Sequence, residues 1–418
     1  MPPLNLSVII TGIVFILMAA RQIIRIELKL WQIALGGAVV VLLTGQVSIP
    51  VAISYLDPAV ILFLTGIFAI GAALDESGYI HRLLNLLFRH ARSVDGLIVL
   101  ILISTAAAAA LLLNDTAAII GTPVVLLMAS RERIDPKLML LALAFGATTG
   151  SVTSPIGNPQ NLLIASSGMV SNPFLTYFSY LALPTCINLA VVFLVLRVFY
   201  RKEFGRQRLA HVDIGLRDES LARLCRLSLL LLVSLVIMHT VVKSLDASLS
   251  FSFAYISLIA ALPLFIFSPK RGQIARNIDW PTIIFFLSLF VLVGSLWQSG
   301  FIQQIVSPQE TRIGSMPNVL AGSILGSQFI SNVPVVMIYL KLLVFRNTSA
   351  AVLMALAAGS SIAGNLTILG AASNIIVVQG AERYEPKTML TFTDFVKVGV
   401  MITSVNAVVY WVFLILGI

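Results

Sequence analysis

Apolar residues in this chain gather into long blocks separated by short polar stretches. A helix needs about 20 mainly apolar residues to cross a bilayer. By that measure the pattern predicts spans near 5–20, 31–47, 58–75, 137–169, 175–200, 227–245, 251–268, 280–298, 349–380 and 391–417. Two of these, 137–169 and 349–380, are interrupted by polar residues, glycine or proline. Two further apolar regions, 96–130 and 316–345, carry a polar tip in the middle, Asn114-Asp115 and Ser331-Asn332, with no hydrophilic loop around it. Each reads as a helical hairpin that enters and leaves on one side, which places its tip at mid-depth. A pair of full crossings is the alternative. Residues 78–92 read as an amphipathic helix at the membrane surface.

The interruptions come in matching sets. The first half carries Leu113-Asn114-Asp115-Thr116, then Thr153-Ser154-Pro155-Ile156-Gly157-Asn158-Pro159-Gln160-Asn161. The second carries Ser331-Asn332-Val333-Pro334, then Gly364-Asn365-Leu366-Thr367 and Gly370-Ala371-Ala372-Ser373-Asn374. Lipid cannot satisfy free backbone N–H and C=O groups, so irregular backbone at this depth must be buried in protein or line a cavity. Interrupted segments at matching places in two halves point to a transporter's binding site.

Composition agrees. Of 418 residues, 58% are hydrophobic and 11% charged, with mean hydropathy +1.00, against roughly 25% charged in soluble domains. The net charge of +9 does not imply nucleic acid, because the basic residues sit in loops and set topology. Arg21, Arg25 and Lys29; Arg82, Arg89 and Arg92; Arg131, Arg133 and Lys137; Arg197, Arg201, Lys202, Arg206, Arg208, Arg217, Arg223 and Arg226; and Lys270, Arg271 and Arg276 all fall on one side if both termini lie outside. That side is then cytoplasmic, in the inner (plasma) membrane. The opposite loops hold Asp57 and Asp246, and a single Arg312. Each half contains three spans, a hairpin, a broken span and a last span. This odd number of crossings requires the halves to insert in opposite senses. The expected fold is therefore an all-α polytopic membrane protein of two inverted repeats, 1–200 and 226–418, joined by a cytoplasmic linker, 201–225. Each repeat holds five spans and one re-entrant hairpin, with broken helices at the midplane.

Polar residues at the tips and breaks are the candidate site: Asn114, Asp115, Thr116, Thr153, Gly157, Asn158, Gln160, Asn161, Ser331, Asn332, Thr367, Ser373 and Asn374. Asparagine offers both an acceptor and a donor without net charge. Helix N-termini and unwound carbonyls add partial charges of both signs. Pro155, Pro159 and Gly157 account for the first break, since each proline pushes its predecessor off the α region. Kinking and close packing alone also use such residues. Asp115 is the sharpest of them. A carboxylate at a helix centre costs ~2.5–3.5 kcal/mol on insertion scales and usually faces a cavity. Desolvation favours its neutral form and a bound cation its charged form, so it is the candidate coupling residue; the plainer alternative is an N-cap of the second hairpin arm. Val333 stands at the matching place in the other tip. Asn114 and Asn158 are the candidate sodium ligands. Asp75-Glu76-Ser77-Gly78 reads as a helix end with a glycine stop, His239 as a packed or interfacial residue with a proton relay the alternative, and Glu382, Arg383, Glu385 and Lys387 as loop. Cys186 and Cys225 make no ligand spacing and no expected disulfide. No phosphate loop, metal-ligand spacing or nucleophile–base pair occurs, so an enzyme is not expected, and neither a cofactor nor a bound metal is.

At these residues the chain resembles the ion transporter superfamily. Its members include arsenite pumps (ArsB), sodium/proton antiporters (NhaD) and YbiR-like permeases, and Leu74-Asp75-Glu76-Ser77-Gly78, Asn114-Asp115 and Thr122-Pro123 look like the arsenical-pump pattern. Residues 154–162 and Ser327-Gln328-Phe329-Ile330-Ser331-Asn332-Val333-Pro334 look like YbiR-type anion permeases. Divalent anion:sodium symporters carry Ser-Asn-Thr at both tips, and the second tip here lacks the threonine. The resemblance implies a homodimer in which a transport domain slides against a scaffold like an elevator. It also implies secondary transport of a small inorganic or organic anion or an oxyacid, with arsenite efflux the named candidate, coupled to protons or sodium. A soluble ATPase subunit is an implied partner if the substrate is arsenite. A sodium/proton antiporter using Asp115 is the alternative, and an ion channel the alternative of another class.

Overall fold

The computed structural model describes residues 5–24, 28–88, 90–205, 218–245, 252–306, 314–344, 348–384 and 390–417. Arg25, Arg89, Arg206, Arg208, Arg217, Asp246, Arg312, Glu385 and Lys387 lie outside them. The described residues are helical without strands. In order the helices are α1 (Leu6–Ile24), α2 (Leu30–Leu43), α3 (Ile49–Ser54), α4 (Pro58–Ser77), α5 (Tyr79–Phe88), α6 (Val94–Leu112), α7 (Asn114–Glu132), α8 (Pro136–Gly150), α9 (Pro159–Ser166) and α10 (Pro173–Phe199). Then come α11 (Glu219–Leu245), α12 (Phe253–Phe267), α13 (Arg271–Arg276), α14 (Trp280–Gln298), α15 (Phe301–Val306), α16 (Met316–Ile330), α17 (Asn332–Leu343), α18 (Ala350–Leu366), α19 (Ala372–Tyr384) and α20 (Phe392–Leu416). Among the described residues, the order of long and short helices in α1–α10 recurs in α11–α20.

Local chemistry sets most boundaries. Asp57, Ser93, Asp135, Asn158, Asn172, Ser252, Asp279 and Thr391 each accept a hydrogen bond from a first-turn N–H of the helix they precede, as N-caps do. Gly78 ends α4 at φ 69°, a conformation glycine adopts without penalty. Several boundaries differ from the hydropathy pattern. Arg21 lies in the last turn of α1, and short helices α3 and α15 occupy the loops 48–57 and 299–315. Glu382 and Arg383 belong to α19 rather than to a loop. Helix α11 begins at Glu219, inside the stretch read as linker, because Asp218 receives the Leu221 N–H. Lys270 Nζ bridges Glu76 Oε1 (3.3 Å) and Asp218 Oδ2 (2.9 Å) at this end. The Leu221 N–H and Lys270 together hold the Asp218 carboxyl below its ordinary 3.8, and Asp218 raises the Lys270 ammonium.

Helices α4, α6, α10, α11, α14 and α20 are long and apolar enough to cross a membrane by length and composition. Packing direction shows that α6 is one arm of a hairpin. Gly146 and Gly150 of α8 rest on Leu102–Thr105 and Ala106 of α6, so α6 and α8 run parallel. Gly121 of α7 rests on Leu143 of α8, while the Asn114 N–H bonds Gly157 O (2.9 Å), so α7 runs the opposite way. The tip at Leu113 therefore meets the middle of the broken span 136–166. The second half repeats this arrangement. Gly359 of α18 rests on Leu320 and Ser323 of α16, and Gln328 Nε2 donates to Ala363 O (2.8 Å). Gly326 faces Val335 and Gly322 faces Tyr339, which closes α16 on α17. The two tip residues share one backbone conformation, φ 73°, ψ 145° at Leu113 and φ 72°, ψ 160° at Ser331, in a region nearly reserved for glycine. Such strain costs about 1–3 kcal/mol and clusters at functional sites.

The halves interlock. Helix α4 packs on α12 and α14 on α2, so each half's third span lies against the other half's second. Helices α10 and α20 cross near their centres, where Thr185 Oγ1 and Tyr410 OH lie 2.6 Å apart and the matching residues Asn188 and Asn406 are fully buried. His239 is buried against Phe174 and Phe253, ring centroids 5.5 and 5.3 Å away. Both cysteines are free.

Candidate functional site

The two breaks are tied by the same bonds in the same register. Asn161 Nδ2 donates to Ser151 O (3.2 Å) and Ser154 O (3.1 Å). Asn374 Nδ2 donates to Gly364 O (2.6 Å) and Thr367 O (3.3 Å). The spacing is identical, so positions 151, 154, 157, 158 and 161 correspond to 364, 367, 370, 371 and 374. Gly157 and Gly370 occupy one such pair, and a Cβ at either would strike backbone, at Ser151 or Ala363.

This register explains why the tips differ. At the first break Asn158 caps α9, its Oδ1 accepting from Asn161 N (2.9 Å), while its Nδ2 donates to Ser151 Oγ (3.0 Å) and Ser361 Oγ (2.9 Å). At the second break the corresponding residue is Ala371, which has no capping atom. Helix α19 takes its cap from the other half instead. The Ser373 N–H, in the first turn of α19, faces the Asp115 carboxylate, and Asn114 Nδ2 donates to Ser373 Oγ (3.2 Å). Asp115 thus sits at the positive end of the α19 dipole, a favourable place for an anion. It does not cap its own helix: the residue before α7 is Leu113, and Asp115 lies within the first turn. Val333, the counterpart of Asp115, faces a half whose broken helix is already capped by Asn158.

A cavity of about 700 Å³ opens between the tips and the breaks. Of the candidate residues, Asn114, Asp115, Gln160, Ser331 and Asn332 line it. Thr116, Thr153, Gly157, Asn158, Asn161, Thr367, Ser373 and Asn374 are not among its lining residues; they build the walls. Thr116 packs on Gly71 of α4, Thr153 Oγ1 bonds Gly150 O (2.9 Å), and Thr367 Oγ1 bonds Gln328 Oε1 (3.1 Å). Both side-chain atoms of Asn114 and of Asn158 are engaged within the fold, so the paired sodium ligands expected at these two residues do not face the cavity together. The sequence pattern missed Lys29, Trp31, Asp279, Gln328, Gln379 and Glu382, which also line it. Asp279 caps α14 through Thr282 N (3.1 Å) and Thr282 Oγ1 (2.6 Å). A carboxylate before Trp280-Pro281 signals such a cap, though not that a cavity lies beside it. Charged groups among the described lining residues are Asp115, Asp279 and Glu382 against Lys29, so the cavity is acidic on balance. Two buried polar atoms of its lining, Asn332 Oδ1 and Trp31 Nε1, have no hydrogen-bond partner among the described residues.

Apolar spans, interrupted helices in two matched sets and a cavity of uncharged amides around one buried carboxylate define a multi-pass membrane transporter. Residues 13–351 match the family model described as citrate transporter (CitMHS). The chain belongs to that family, within the ion transporter superfamily, and is a secondary transporter, not an enzyme. It is 26% identical over 89% of its length to an uncharacterized transporter of Mycobacterium tuberculosis, covering 89% of that protein. It is 24% identical to the silicon efflux transporter LSI3 of Oryza sativa subsp. japonica, over 89% of each chain. The crystal structure of the Alcanivorax borkumensis YdaH transporter superposes with a TM-score of 0.47 and 14% identity, over 84% of each chain.

Proposed function

We propose that the protein moves a small, neutral weak oxyacid across the plasma membrane against a counterflow of protons, with Asp115 as the proton carrier. The observation that carries this reading is the charge balance of the cavity, three carboxyl groups against one lysine. A multiply charged anion such as citrate would enter against that field, whereas an undissociated acid bearing several O–H groups would not. Asn332 Oδ1 and Trp31 Nε1, an acceptor and a donor without partners, suit a ligand that both donates and accepts. Silicic acid, a hydroxide of the silicon that the rice relative's name mentions, and arsenous acid, the candidate raised by the sequence, share this chemistry. No cysteine lines the cavity, so capture of arsenite would be by hydrogen bonds and not by sulfur.

Coupling follows from the cap. Deprotonated, Asp115 holds the first turn of α19 by charge; protonated, it loses the charge that the helix end favours. Proton binding thus loosens the contact between hairpin one and the opposite broken span. The halves as inverted repeats, the termini outside and the cavity open to the cytoplasm complete this reading, supported by the basic loops that share a face with Lys29. The same acid balance favours a second reading, a sodium/proton antiporter. Flux into proteoliposomes under an imposed pH gradient separates the two: the first requires uptake of silicic, arsenous or boric acid without sodium, the second sodium flux without any oxyacid.

A further inference from the structure

The register of the two halves sets a contact made in the first half against two cavity-lining residues of the second. Asp57, before Pro58 of α4, and Asp279, before Trp280-Pro281 of α14, are counterparts, since both cap the third span of their half. Ser166, at the end of α9, corresponds to Gln379 of α19 in the register that matches Asn161 with Asn374. In the first half these positions touch: Ser166 Oγ donates to Asp57 Oδ2 at 3.4 Å, and α4 packs on α9. In the second half Asp279 and Gln379 both line the cavity. Gln379 is exposed to it and makes no side-chain hydrogen bond among the described residues.

We propose that Asp279 and Gln379 form the seal of the opposite state: when the cavity shuts on the basic-loop side, Gln379 Nε2 donates to the Asp279 carboxylate, while Ser166 parts from Asp57. The seals are then alternatives, one made as the other breaks. Asp279 suits this role because Thr282 holds its carboxylate in place, leaving acceptor lone pairs for a second donor. Glutamine is two bonds longer than serine, so the second seal spans a wider gap than the first. The proposal rests on the chain being a secondary transporter, and on neither its substrate nor its coupling ion.

The test leaves both capping carboxylates intact. In a background with Cys186→Ser and Cys225→Ser, the reporter pair Phe285→Cys and Ile376→Cys places thiols on the α14 and α19 walls of the cavity. A short bifunctional thiol reagent then joins them only when the cavity closes. Ser166→Ala weakens the seal of the observed state and should raise the crosslinking rate roughly threefold to tenfold, the effect of losing one hydrogen bond. Gln379→Ala should lower it by a similar factor. Equal rates in all three proteins, or shifts in the same direction, would overturn the proposal. So would a reporter that never crosslinks while the unmutated protein carries flux, and this leaves the transporter reading standing. Opposite shifts in a protein that carries no flux would uphold the seals and count against transport.

Discussion

Removal of the Asp115 carboxylate should loosen a helix in the other half of the molecule, and one added side chain should restore it. An anion at a helix N-terminus is worth ~0.3–1 kcal/mol at the surface and up to ~2 kcal/mol where it is partly buried. Asp115→Ala removes that anion from the Ser373 end of α19. A local loss of about 2 kcal/mol corresponds to roughly thirtyfold faster exchange of the Ser373 amide with deuterated solvent, if it exchanges by local opening. Ala371→Asn should reverse most of this. At the corresponding position Asn158 caps α9 from within, and Ala371 has the same extended backbone as Asn158 and lines the cavity. The double variant Asp115→Ala/Ala371→Asn should therefore regain slow exchange in the first turn of α19, yet stay uncoupled from protons. Hydrogen exchange read by mass spectrometry on the peptide spanning 368–378 checks the first point and proteoliposome flux the second. Unchanged exchange in Asp115→Ala, or no recovery in the double variant, would refute the borrowed cap.

The remaining predictions concern parts of the site with separate duties. Asn158→Ala removes a cap and two hydrogen bonds at a fully buried position, so thermal unfolding in detergent should show a loss of about 2 kcal/mol or more. Asn332→Ala should leave stability nearly unchanged, since Oδ1 has no partner to lose, but weaken substrate affinity about threefold to tenfold, read from the concentration dependence of flux. Asp218 has a depressed folded pKa, so its stabilisation is present above its unfolded value and lost as pH falls through the folded one. Asp218→Asn should lower stability at neutral pH and make no difference once pH is well below 3.8; an equal effect at both would remove the ion pair from the account.

The hydropathy pattern carried the architecture a long way. Residues 96–130 and 316–345 read as hairpins because a polar tip without a polar loop has few other places to go in lipid, and each folds as two helices that meet at that tip. The site was legible in type and only partly in position. Asn114, Asp115 and Asn332 line the cavity, whereas Asn158, Asn161 and Asn374 spend their amides tying the breaks together. A sequence shows that a buried amide must be satisfied, not whether ligand or protein satisfies it. Asp279 and Gln379 were missed for a related reason. One is an ordinary helix cap and the other an ordinary polar residue, and only packing sets them on the walls of one cavity. The asymmetry of Asp115 and Val333 was visible from the start. Its cause, the exchange of Asn158 for Ala371, needed the register that the matched hydrogen bonds supply.

The central claim is that the buried carboxylate of one half couples protons to movement of a neutral oxyacid. The most direct measurement is silicic, arsenous and boric acid flux into proteoliposomes under an imposed pH gradient, comparing the unmutated protein with Asp115→Asn. The account predicts oxyacid accumulation driven by the gradient in the first, and in the second a protein that folds, binds and exchanges substrate but no longer accumulates it. Gradient-driven accumulation by Asp115→Asn equal to that of the unmutated protein would contradict it.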